Sequence, residues 1–104
     1  MTETQDDTLN TREHYEREAA QISFLELQKH FAKGILIEVS SDLNLIDVAM
    51  AMHRDDVSVI EQWMNNQQLV RAHDEHASKW HAEQTRLMAV TVAPWVLVQE
   101  PNRS

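Results

Sequence analysis

LMAVTVAPWVLVQ, residues 87–99, is the stretch that decides how this chain folds. It is rich in β-branched residues, carries no charged side chain, and is too apolar to keep one face in water, so it reads as a strand covered on both sides. Pro94 has no N–H to give to a sheet and must stand at an edge, a bulge or a bend. An unbroken strand of about 11 residues runs roughly 36 Å, more than a small sheet covers. Part of it is therefore expected to form a symmetric homodimer interface, with Val92, Pro94, Trp95, Val96 and Leu97 as the contact residues.

Upstream, the pattern changes period. ILIEV (35–39) alternates as a strand does, and LVRA (69–72) is a second, shorter candidate. Between them Leu45, Val48, Ala49 and Met52 recur at helical spacing behind Asn44, a good N-cap, which predicts a helix to about His53. Asp55 or Asp56 caps the next, with Val57, Ile60 and Trp63 or Met64 inward, ending near Asn65-Asn66. Asp74 can cap a helix over 75–84, with Trp80 and Ala77 inward and Lys79 and Glu83 paired one turn apart.

Toward the N-terminus, Asn10-x-x-Glu13 predicts a helix over 11–21 with Tyr15, Ala19 and Ile22 on one face. Ser23-x-x-Glu26 is a second capping box, with Ile22 and Leu27 placed as a hydrophobic staple. The only glycine, Gly34, ends the helix that follows at Lys33. The fold class is α+β: a small three-stranded sheet packed with four to five helices. The helix pair at 45–66 with flanking strands also has the order of a winged helix. Residues 10–100 make the single domain, 1–9 a disordered acidic tail and 101–104 a frayed end.

The 104 residues hold 17 Asp+Glu against 9 Lys+Arg, giving a net charge of -8, with 6 His and no Cys. Lack of cysteine excludes disulfides, thiolate catalysis and Cys-based zinc or iron–sulfur sites. The acidic balance disfavours nucleic acid and anionic membrane surfaces, which need clustered Lys and Arg. The segment 43–72 sets Asp47, Asp55, Asp56 and Glu61 against Arg54 and Arg71, a poor surface for reading DNA. The polar N-terminus has no apolar signal segment, and no apolar run approaches the roughly 20 residues of a membrane helix. A cytoplasmic protein is expected, with assembly or solubility sensitive to pH near the histidine range.

Motifs that specify a reaction are few. One glycine cannot build a Walker loop or a dinucleotide fingerprint, and no serine sits in a Gly-flanked nucleophile turn. His73, Asp74, Glu75 and His76 invite a metal reading, but His81 points about 140° from His76 on a helix, so the simpler reading is a solvated helix face. Glu38, alternating with apolar residues, is either a buried acid suited to acid–base work or, more simply, a residue that sits at a strand edge or pairs with an arginine. Trp63, Trp80, Trp95, Met50, Met52, Met64 and Met88 serve core packing more economically than a ligand pocket.

From Ala19 to Glu100 the chain resembles a small bacterial family known as domain of unknown function 2288. The resemblance is carried by Ile22 with Leu27, Phe31-Ala32-Lys33-Gly34, Leu43-x-Leu45 leading to Val48-Ala49, Asp55-Asp56, Trp63, and the ending Ala89–Gln99. It would place a glycine at Gln67-Gln68, where this chain has none. The resemblance implies a short cytoplasmic bacterial protein and brings no known reaction, cofactor or catalytic residue.

The expected function is a small non-enzymatic protein-interaction module that self-associates through its C-terminal apolar strand. A winged-helix-derived regulator is the alternative, and a small enzyme or metal-binding protein a weaker third. No cofactor, catalytic residue or metal ligand is assigned. Ser23, Glu26, Gly34, Asn44, Asp55, Asp56 and Trp63 are expected to act structurally.

Overall fold

The computed structural model describes residues 3–101, with side chains from 11 onward. In chain order the elements are α1 (Glu3–Glu18), β1 (Ala20–Ser23), α2 (Phe24–Ala32), β2 (Leu36–Val39), α3 (Leu45–His53), α4 (Val57–Asn65), β3 (Leu69–Arg71), α5 (Asp74–Glu83), β4 (Arg86–Val92) and β5 (Trp95–Gln99).

The sheet has five strands in the order β1-β4-β5-β2-β3, in place of the expected three. The β2–β5 pair is parallel and the other three pairs are antiparallel. The single long strand expected over 87–99 is a hairpin: it reverses at Ala93-Pro94, a cis peptide, so that Val92 faces Trp95 and Met88 faces Gln99. Pro94 thus takes the bend among its three allowed positions, and no 36 Å strand exists. The C-terminal hairpin fills the centre of the sheet, and β2 with β3 forms one margin. That arrangement replaces the compact winged-helix-like sheet.

Both faces of the hairpin are apolar because helices of the same chain cover both. On one face Val90, Val92, Leu97 and Val39 pack under Tyr15 of α1 and Leu45, Val48 and Ala49 of α3. On the other, Leu87, Ala89, Val96, Val98 and Leu36 pack under Phe24 and Leu27 of α2 and Trp80 of α5. Strand alternation sends successive residues to opposite cores. The result is a helix–sheet–helix sandwich.

Local signals explain the element ends. Asn44 Oδ1 accepts from the backbone N–H of Ile46 and Asp47, closing the first turn of α3. Gly34 has φ 74°, the left-handed conformation anticipated behind α2. Ser23 is the N-cap of α2 and Glu26 lies in its first turn, although the Ser23 side chain makes no capping hydrogen bond. Asp56 is the N-cap of α4, likewise without a side-chain bond, and Asp55 turns the chain at φ 57°. His73, not Asp74, is the N-cap of α5. Lys79 reaches Glu100 at 3.4 Å instead of Glu83.

The N-terminal third departs most from expectation. The first helix begins at Glu3, so Asn10 lies inside it rather than at its start, and much of the expected tail over 1–9 is helical backbone. Residues 1–2 of that tail and 102–104 of the expected frayed end lie outside the described residues. The helix stops at Glu18, and Ile22 belongs to β1, pairing with Leu87. Arg12 bonds Asp47 at 2.6 Å, and the Tyr15 hydroxyl lies 3.2 Å from His53 Nδ1, holding α1 on α3. Burial pushes the Tyr15 phenol above its ordinary value.

Candidate functional site

The helix pair α3–α4 does not cover the whole of its sheet face. All nine residues of α4 keep contact with water, and Val57 and Met64 are 53% and 55% exposed. Val57 was expected to point inward; instead Ile60 and Trp63 supply the half-buried contact with the core. Between α4, the end of α3 and the sheet lies a groove of about 600 Å³. Met52, Ile60 and Met64 form its helical wall. Ile37, Leu69 and Arg71 close the strand side, and Val92, Pro94 and Trp95 form the end at the hairpin turn.

Two charges interrupt this apolar lining. The Arg71 guanidinium sits 5.6 Å from the centre of the Trp95 ring, a cation–π contact that orders a side chain otherwise free to wander. Asp55 stands at the start of the turn into α4. Among the described residues neither takes part in a salt bridge. The groove, near 600 Å³ with mostly apolar walls and few polar groups, has the form that ligand-binding and active sites share.

The groove divides the five contact residues expected from the sequence. Val92, Pro94 and Trp95 line it. Val96 and Leu97 do not: they are 4% and 0% exposed, facing opposite cores, and offer a partner no surface. Met52 and Met64 join the groove, while Met50 and Trp80 are core. The contribution of Arg71 and Asp55 was not anticipated. They line one groove only because the end of β3 and the α3–α4 turn border the same space, and no local pattern announces that.

A second cluster lies on the opposite sheet face. Glu38 is not an edge residue, since β2 runs between β5 and β3; its Oε1 is 3.6 Å from His76 Nε2 instead of meeting an arginine. The backbone N–H of His73 donates to His76 Nδ1 at 3.2 Å, which leaves the ring proton on Nε2, toward Glu38. The His76 ring stacks on Trp80 and lies 4.1 Å from His73, centre to centre. Burial lowers the His76 pKa from its ordinary 6.5 and outweighs the opposing pull of Glu38. No three His, Asp or Glu side chains among the described residues gather as a metal ion requires. No helix among them is long and apolar enough to cross a membrane.

Comparison with known proteins agrees with the fold. The solution structure of PA1075 from Pseudomonas aeruginosa, determined by NMR, is similar with a TM-score of 0.76 and 37% sequence identity. The likeness covers 83% of this chain and 80% of that one. No curated protein matches. The family model described as protein of unknown function DUF2288 matches residues 10–100. With the α+β core, the central hairpin and Gly34 all within that match, the chain belongs to the DUF2288 family.

Proposed function

We propose that the protein is a small non-enzymatic interaction module that self-associates, and that the groove between α4 and the C-terminal hairpin is its contact surface. One observation carries this reading: Met64, more than half exposed, stands in the wall of an apolar groove that also holds Pro94 and Trp95. An apolar hollow continued by an exposed apolar side chain is a kind of surface that partners cover, and Met and aromatic residues are enriched in such contacts. The length of the C-terminal strand no longer supports self-association, because the hairpin buries both its faces within one chain.

The acidic balance continues to disfavour nucleic acid. The α4 segment VSVIEQWMN contributes no Arg or Lys that a DNA-reading helix would use.

Sedimentation of the full chain across micromolar concentrations tests the reading. A concentration-dependent dimer is expected, weakened by Met64→Lys, which alters an exposed position and leaves the core intact. A wild-type chain that stays monomeric at high micromolar concentration overturns it.

A further inference from the structure

We infer that the second copy docks about a two-fold axis, with Arg71 of each copy paired to Asp55 of the other and Met64 of each copy seated in the opposite groove. This rests on the self-association proposed above and specifies its geometry.

A two-fold interface is isologous: the same patch must complement itself, so it has to carry both halves of every contact. This patch does. It contains one hollow of about 600 Å³ and, in the hollow's helical wall, one apolar side chain, Met64, that is more than half exposed. It also contains one cation and one anion, Arg71 and Asp55, neither of them in a salt bridge within the described chain. Arg71 is already ordered on the Trp95 ring, so less side-chain freedom is lost when its N–H edge meets a carboxylate.

The pair of charges also selects against other occupants. A fatty acid, a phosphate or a nucleic acid satisfies Arg71 and leaves Asp55 without a counter-charge. A cationic ligand does the reverse. A partner with both signs in matching positions satisfies both, and a second copy has them by symmetry. Each single charge reversal then creates two like-charge contacts per dimer, because every contact occurs twice.

The test is sedimentation equilibrium on the full chain carrying Arg71→Asp, Asp55→Lys, or both, with folding checked by the dispersion of amide NMR signals. Each reversal alone is expected to weaken the dimer roughly tenfold or more, and the combination is expected to restore it to near the wild-type constant. Asp55→Asn, which suits the left-handed backbone at this position, gives a smaller weakening and guards against reading a folding defect as lost pairing. A wild-type dimer indifferent to both reversals, or a double variant no better than the single ones, overturns the paired geometry and leaves self-association standing. A wild-type monomer overturns both.

Discussion

The indole Nε1 of Trp80 donates a 2.7 Å hydrogen bond to Oε2 of Glu100, tying the buried face of α5 to the residue that follows β5. Lys79 Nζ approaches the same oxygen at 3.4 Å. Trp80 is fully buried, so its N–H depends on this carboxylate rather than on bulk water. Glu100→Ala leaves that donor unpaired and is expected to cost about 1–3 kcal/mol. Glu100→Gln keeps an acceptor and should cost less. Urea denaturation at neutral pH measures both, and equal losses would show that the indole bond is not what Glu100 contributes.

Acid should weaken the fold in two separate windows. Burial acts to raise the Glu100 carboxyl, but the Trp80 hydrogen bond and the Lys79 charge outweigh it and hold the group below its ordinary 4.5. Its contribution is complete above 4.5 and fades as pH falls through the lower folded value. His76, lowered from 6.5 chiefly by burial, favours the neutral ring. The unfolded chain then binds the extra proton first, so stability begins to fall once pH drops below 6.5 and levels off beneath the folded value. His76→Gln can still accept from the His73 N–H and should flatten the window just below 6.5, shifting the lower one only slightly, since His76 is the weakest of the influences on Glu100. Denaturation midpoints between pH 7.5 and 3.5 read both windows.

Among the described residues, three other than glycine hold left-handed backbone: Asp55, Gln67 and Gln84, at φ 57°, 61° and 52°. Gln67 falls where the family resemblance calls for glycine. Gln67→Gly and Gln84→Gly are each expected to stabilise by roughly 0.5–1 kcal/mol, the relief of side-chain strain less the added freedom of the unfolded chain. Gly34→Ala should do the opposite, costing about 1 kcal/mol. A Cβ there would meet nothing within 4 Å, so the loss comes from backbone strain alone. Thermal melts of the three variants check the signs.

Asn44→Ala removes the acceptor shared by the Ile46 and Asp47 amides and is expected to cost about 1 kcal/mol. Asn44→Asp keeps the cap and should recover most of it. The α3 helix carries Val48 and Ala49, both fully buried, so the loss should appear in the global unfolding transition rather than as local fraying. Amide hydrogen exchange distinguishes the two.

Local chemistry was legible where a segment's neighbours in sequence are also its neighbours in space. The bounds of α3 follow from Asn44 and the i, i+3, i+4 spacing of its apolar residues, and the end of α2 from Gly34. The strand β1 was hidden because AQIS is too short for a period to show, and the helical pattern through Tyr15 and Ala19 runs into Ile22 without a break. Pairing with β4 makes Ala20–Ser23 a strand. The candidate site was half legible: the apolar ending pointed to Val92, Pro94 and Trp95. It also pointed to Val96 and Leu97, which the chain's own helices consume.

The sequence by itself determined that residues 87–99 are mostly β structure with apolar side chains on both faces, because thirteen consecutive uncharged residues rich in Val and Leu leave no polar face. It limited Pro94 to an edge, a bulge or a bend, since the missing N–H breaks any ladder. Only the tertiary structure decided which. Folding back at Ala93-Pro94 lets each strand of the hairpin pair with the other and with an outer neighbour, β1 or β2, while α1 and α3 cover one face and α2 and α5 the other. Burial within one chain therefore replaced burial between two along the strand. The groove proposed as the contact surface is likewise a product of the tertiary fold, which alone brings Arg71, Asp55, Met64 and Trp95, distant in sequence, to one hollow.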